Sequence, residues 1–223
     1  MSRFIVIDGL DGSGKGTQIK LMQKHFEHRP VAFTREPGGT PRAERIREIL
    51  LSPSKQSADP LTDLLLFFAA RNDHIQYLIE PLRMEGKHVI SDRYDSSSFA
   101  FQLYGEGRYE SLIEEFKFLR LKMIEGVIYS AGNPDAYIFL DLPAQIAYDR
   151  CRLAADKTSV FDLKPIQYHE RVREGFRAFA ERYADMNTAI TLIDANRPVE
   201  EVQAEIVEEI ERLFAEDNDN SEE

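Results

Sequence analysis

Short apolar runs alternate along the chain with longer stretches in which apolar residues recur every three or four positions. Phe4-Ile5-Val6-Ile7, Val31-Ala32-Phe33, His88-Val89-Ile90, Tyr137 to Leu140 and Ile190 to Ile193 read as five buried strands. Helices are predicted over about 15–27, 41–51, 61–85, 95–104, 109–126, 143–153 and 165–184. Pro41 suits a first helical turn, and Pro81 predicts a bend in the long helix. In the last helix Val199, Val202, Ile206, Ile210, Leu213 and Phe214 fall three or four apart, which buries one face. Strands that are apolar throughout and separated by helices imply an α/β fold with a five-stranded parallel sheet covered on both faces. In such sheets ligands collect at the carboxyl ends of the strands.

Length and composition narrow this picture. With 223 residues and 43% hydrophobic positions, one domain over about 1–215 is expected. Residues 216–223 are acidic and without apolar positions, which predicts a disordered tail. A net charge of −11 speaks against nucleic acid as a partner, yet a local basic cleft can still bind a small phosphate ligand. The longest apolar run, Leu64 to Ala70, falls far short of the ~20 residues that span a bilayer. The start, Met1-Ser2-Arg3, runs straight into a strand with no signal-peptide layout, and the single cysteine, Cys151, can form no internal disulfide. A cytoplasmic protein that does not bind membranes is expected. His25, His28, His74, His88 and His169 show no metal-ligand spacing.

The strongest chemical signal follows the first strand. Gly9-Leu10-Asp11-Gly12-Ser13-Gly14-Lys15 fits G-x-x-x-x-G-K between a strand and a helix. Glycines let the backbone wrap an anion, N–H groups at the helix start point at phosphate oxygens, and Lys15 adds a full charge. Gly12, Ser13, Gly14, Lys15, Gly16 and Thr17 are therefore the expected ATP-binding residues. Gly16 stands where a Ser or Thr usually ligates Mg²⁺, so Mg²⁺ is expected through water and carboxylates, with Asp92 a candidate. No Asn-Lys-x-Asp guanine motif is present, which argues against a GTPase.

Beyond this loop, the chain resembles the thymidylate kinase family over about residues 3 to 213. The resemblance rests on the opening segment Phe4 to Lys15, on Thr34-Arg35-Glu36-Pro37-Gly38-Gly39-Thr40, on Leu65-Leu66-Phe67-Phe68-Ala69-Ala70-Arg71, and on Asp92-Arg93-Tyr94 with Ser97-Ser98 and Ala100-Phe101-Gln102. It implies a P-loop kinase fold, ATP and Mg²⁺ as cofactors, dTMP as acceptor and a homodimer.

Phe67 and Arg71 lie four apart on a helix and share a face. A ring there can stack on a pyrimidine and a guanidinium can donate to a base carbonyl, and the resemblance implies thymine. Arg47, with Arg35 as second candidate, suits the acceptor phosphate, since a guanidinium is a permanent bidentate cation. The resemblance gives Asp11 the acceptor sugar hydroxyl. Ser98 and Gln102, four apart, are candidates for the base, and Phe101 for crowding the sugar carbon that lacks a hydroxyl. Arg93 is expected to reach the transferred phosphoryl group, Asp92 to orient Lys15 or hold a Mg²⁺ water, and Asp141 to cap the helix that follows it.

The resemblance also implies a mobile lid at about 153–164 carrying a catalytic cation, because the P-loop position that otherwise supplies it is Gly12. Arg152 is the chosen candidate, with Arg150 and Lys157 as alternatives. The loop Asp194-Ala195-Asn196-Arg197-Pro198 is the expected rest for the ATP adenine. Two competing functions remain open at this point. One is a kinase of another nucleoside monophosphate or of a deoxynucleoside on the same fold. The other is a nucleotide-binding regulator that has lost catalysis.

Overall fold

The computed structural model describes residues 2–52, 59–125, 132–153, 164–184 and 188–219. Five strands form one parallel sheet: β1 (Phe4–Gly9), β2 (Val31–Arg35), β3 (His88–Asp92), β4 (Ala136–Asp141) and β5 (Ala189–Asp194), in the order β2-β3-β1-β4-β5. Every neighbouring pair is parallel, with Ile5 opposite Ile90 on one side and opposite Ala136 on the other. The central strand β1 is buried along its whole length, as a strand covered on both faces must be. The connection leaving β1 runs toward β2, whereas the one leaving β3 runs toward β4. Adjacent strands whose connections diverge leave a crevice at their carboxyl ends.

The helices are α1 (Lys15–His25), α2 (Pro41–Leu51), α3 (Pro60–His74), α4 (Glu80–Met84), α5 (Asp95–Ser97), α6 (Tyr109–Glu125), α7 (Ala144–Leu153), α8 (Ile166–Tyr183) and α9 (Val199–Asp219). Thr40 caps α2 by accepting from the Ala43 N–H, and Pro41 opens it. The predicted long helix over 61–85 is α3 and α4 joined by a π-helical turn, Ile75–Ile79. The Glu80 N–H reaches back to the Ile75 carbonyl, just before Pro81, which has no N–H to give. A second π-helical stretch, Ser98–Gly105, replaces most of the helix predicted over 95–104. It packs against α8, and Phe99 sits in an aromatic cluster with Phe116, Phe179 and Tyr183. Truncating such a ring to alanine costs about 3–5 kcal/mol, so this cluster fixes where the π-helical stretch lies.

One expectation needs correction. Val199, assigned to the buried face of the last helix, is exposed, because α9 begins there and its first turn projects past the core. The helix α9 runs on to Asp219, since Glu and Asp do not by themselves stop a helix already propagating. Residues 220–223 lie outside the described residues, as do residues 154–163 of the expected lid, Lys157 among them.

Candidate active site

The loop from β1 to α1 is shaped by glycine. Gly12 has φ +83°, and a Cβ there would stand 2.3 Å from the Ala147 carbonyl oxygen, so no other residue fits without displacing α7. Gly14, at φ +91°, is the left-handed N-cap of α1. A helix leaves its first N–H groups unpaired, and here they lie at Lys15 and Gly16, where an anion meets them. The buried Ser13 hydroxyl has no hydrogen-bond partner among the described residues.

Lys15 is buried, and its Nζ stands 3.1 Å from Asp92 Oδ1 at the end of β3. Asp92 and Lys15 are thus an ion pair at the end of β3. Burial raises the Asp92 carboxyl, but Lys15 and Arg93 outweigh it and hold the group below the usual carboxylate range. Arg93, next in the chain, has φ +74°. Its Nη1 donates to Asp8 Oδ1 (3.0 Å), the Gly9 carbonyl (3.1 Å) and Ser97 Oγ (2.9 Å), and its Nη2 donates to Asp11 Oδ1 (2.6 Å). Burial by itself would lower the Arg93 guanidinium, yet Asp11, Asp8 and Asp92 prevail and raise it. The guanidinium also stands over the Phe101 ring, 4.8 Å from its centre.

Asp8 is fully buried and accepts from the Gly9 N–H, Ser96, Ser97 and Arg93. Burial still pushes its carboxyl up. Its place at the foot of the phosphate loop was legible only as a polar residue closing an apolar strand. Asp11, assigned to a sugar hydroxyl, is held by Arg93, and its carboxyl is lowered despite burial by Arg93 and Lys15.

A cavity of about 310 Å³ opens at this crevice, and Lys15, Asp92 and Arg93 share its wall with Phe67, Arg71, Phe101 and Gln102. Lys15 of the phosphate loop and the Phe67–Arg71 face of α3 therefore open on one space. Arg71 is almost wholly buried. Its Nε donates to Glu36 Oε2 (2.7 Å), and its Nη2 to the Tyr94 carbonyl (2.8 Å) and Ser98 Oγ (3.1 Å). Nη1 finds no hydrogen-bond partner among the described residues and is the nitrogen left for the cavity. Breaking such a buried pair costs about 3–5 kcal/mol, so the guanidinium is held where Glu36 puts it.

Gln102 Oε1 is likewise buried without a partner. Ser98 does not share that wall: it sits behind Arg71 and accepts from it. The i, i+4 spacing that paired Ser98 with Gln102 assumed an α-helix, and the wider π-helical turn brings Ser97, Phe101 and Gln102 to the cavity instead. Phe68 lies in the core against Phe116.

At the far end of the cavity, Arg47 donates from Nη1 to the Pro37 carbonyl (2.7 Å), after a cis Glu36-Pro37 bond. Burial and then the neighbouring Arg35 lower its guanidinium, which an arriving anion would relieve. Arg35 pairs with Glu44 at 3.0 Å.

The two arginines of α7 separate. Arg150 Nη1 reaches the Gly12 carbonyl at 3.4 Å. Arg152, the chosen lid cation, is exposed and stands over the Tyr148 ring instead, since two residues along a helix turn a side chain to the other face. Asp141 does not cap α7. It accepts from Arg173 Nε (2.7 Å) and Nη2 (2.9 Å) and from Arg177 Nη2 (2.7 Å), tying β4 to α8. Beyond β5, Asp194 accepts from the Asn196 N–H and Arg197 pairs with Glu205. Gln18 of α1 donates to the Val199 carbonyl, which brings the start of α9 beside α1.

No group of three or more His, Cys, Asp or Glu suited to a metal is found among the described residues. Asp11 and Asp92 both line the cavity beside Lys15, which suits a cation held mainly through water.

Residues 7–206 match the family model described as thymidylate kinase. A thymidylate kinase of Symbiobacterium thermophilum is 38% identical over 216 residues, spanning 96% of this chain and 95% of that protein. One from Chromobacterium violaceum is 36% identical over 215 residues, spanning 95% of each. The crystal structure of thymidylate kinase from Ehrlichia chaffeensis resembles this fold with a TM-score of 0.68 at 30% identity, covering 94% of this chain and 98% of that one.

Proposed function

The chain belongs to the thymidylate kinase family, and from that premise we propose how its crevice moves a phosphoryl group from ATP to dTMP. As a member it is a nucleoside monophosphate kinase that phosphorylates dTMP to dTDP. The observation that carries the reading is the common wall of one cavity: Lys15 and the phosphate loop on one side, Phe67 and Arg71 on the other.

The acceptor's thymine stacks on Phe67 and takes a hydrogen bond from Arg71 Nη1, with Gln102 beside it. Phe101 crowds the sugar, and Arg47 receives the phosphate. The triphosphate of ATP lies against the loop from Gly12 to Thr17, on the free N–H groups of Lys15 and Gly16, with the Lys15 side chain on its outer phosphates. The acceptor phosphate, whose second pKa is about 6, is already largely ionised at neutral pH, so no general base is required. Its oxygen attacks the γ-phosphorus in line, the bond to the β-phosphate oxygen breaks, and ADP leaves. Lys15 and a cation from α7 stabilise the charge on the transferred group. Arg150 is better placed for that role than Arg152, because it already touches the phosphate loop. Arg93 acts by holding Asp11 and the loop rather than as a free cation. Mg²⁺, when bound, would neutralise phosphate charge, with Asp92 and Asp11 holding its waters.

The reading includes a homodimer in the cytoplasm. Leu65, Phe118 and Leu121 are large, apolar and exposed on α3 and α6, which pack together, and such residues favour a covered face. No helix is long and apolar enough to cross a membrane among the described residues.

The test is a panel of dTMP, dAMP, CMP and thymidine with ATP and Mg²⁺, run on the wild type and on Lys15→Ala. dTMP should be the preferred acceptor, and the variant should lose about a thousandfold or more in turnover with its circular dichroism unchanged. Preferred use of another acceptor, or unaltered turnover in the variant, overturns the assignment.

A further inference from the structure

Arg71 is held by a chain of buried groups that takes no part in the transfer itself. Glu36, 4% exposed, accepts from Arg71 Nε on Oε2 at 2.7 Å, and its Oε1 lies 3.0 Å from His74 Nδ1. His74, at 0% exposure, has its Nε2 2.7 Å from Thr34 Oγ1. With the imidazole proton on Nδ1, the chain satisfies every member: the Thr34 hydroxyl donates to His74, His74 donates to Glu36, and Arg71 donates to Glu36.

The same carboxylate is pinned through its backbone, since the Glu36 N–H donates to the Asp92 carbonyl at 2.9 Å. On the other side of the guanidinium, Nη2 is occupied by the Tyr94 carbonyl and Ser98. A guanidinium has five N–H groups in a rigid plane. Clamped along two edges, with three of those groups engaged, it can offer only the two on Nη1 to the cavity, from one fixed position.

We infer that Glu36, backed by His74 and Thr34, is the positioning residue that fixes the one remaining donor nitrogen of Arg71, Nη1, toward the acceptor base. The inference rests on the acceptor-site reading above and deepens it: Arg71 touches the base, and Glu36 acts through Arg71. A donor fixed in this way fits a base bearing a carbonyl at that place and leaves an amino group there unpaired, so discrimination between the two depends on how Glu36 holds Arg71. The anchoring also reaches the phosphate end. Pro37, the next residue, accepts from Arg47, so both ends of the acceptor slot hang from consecutive residues after β2.

The test measures steady-state kinetics for Glu36→Gln, which keeps the shape and removes the charge, and for Glu36→Asp, which keeps the charge and withdraws the carboxylate by one methylene. Each is also combined with Arg71→Met. In both single variants KM for dTMP should rise about tenfold, while kcat at saturating dTMP and KM for ATP change by less than about threefold. In the Arg71→Met background the Glu36 substitutions should add nothing further, because the residue through which they act is gone. Three results overturn the inference: an unchanged KM for dTMP in both single variants, equal rises in the KM values of dTMP and ATP, or effects that add fully to those of Arg71→Met. The underlying acceptor-site reading fails separately, if Arg71→Met alone leaves KM for dTMP at the wild-type value.

Discussion

A carboxylate between two arginines behaves differently from one in open water, and Asp141 shows how a single residue sets a measurable property. Partial burial raises its carboxyl, but hydrogen bonds from Arg173 and Arg177 outweigh that and hold it below its ordinary value. The sign follows from linkage. A group whose folded pKa lies below its unfolded value contributes stability above the unfolded value, about 3.9 for aspartate. That contribution is lost as pH falls through the folded value. Asp141→Asn should therefore be less stable than wild type at pH 6, with the difference shrinking as the pH is lowered below about 4. Urea denaturation across that range checks it, and a difference that stays constant with pH would refute the ionic account. Arg93 makes the complementary point. A non-glycine residue at φ +74° is strained, and contacts to Asp8, Gly9, Ser97, Asp11 and Phe101 hold it there.

At the scale of elements, the π-helical stretch Ser98–Gly105 decides which of its side chains reach the cavity. It can sit against α8 only because glycines face each other's helices. A Cβ at Gly175 would stand 2.8 Å from Ala100 Cα, and one at Gly105 would stand 2.7 Å from the Tyr168 ring. Backbone cannot give way as a flexible side chain can, so Gly175→Ala must push the two helices apart. The expected cost is about 1–3 kcal/mol, read as a lower melting temperature, together with a raised KM for dTMP because Phe101 and Gln102 move with their helix. A variant with wild-type stability and kinetics would mean that this packing tolerates more than the distances allow.

The whole molecule brings elements distant in sequence to one edge of the sheet. The phosphate loop follows β1, Glu36 and Pro37 follow β2, and Asp92 and Arg93 follow β3, so three adjacent strands deliver both ends of the site. The opposite surface of α3 and α6 carries the exposed Leu65, Phe118 and Leu121. If these residues cover one another in a homodimer, Phe118→Asp should shift the mass measured by light scattering from two chains to one, since a buried unpaired carboxylate is costly. A wild type that is monomeric at working concentrations would refute the dimer.

Local pattern alone determined much of this. Apolar runs of strand length, the glycine loop ending in Lys15, and the Phe67–Arg71 spacing are written in consecutive residues, because backbone geometry and side-chain period act over a few positions. The five strands, the phosphate loop and the shared face of Phe67 and Arg71 were legible for that reason, whereas Phe101 and Gln102 reach the cavity through a π-helical turn that local spacing did not show. Other features depend on partners far away in the chain. Ser98 turned inward to Arg71 because the helix there is π rather than α. Asp141 found Arg173 and Arg177 rather than its own helix. Arg150 rather than Arg152 met the phosphate loop, and Glu36 joined His74 and Arg71 across two elements. A polar group taken out of water must find a partner wherever the packed chain offers one, and that choice exists only once strands and helices have been brought together.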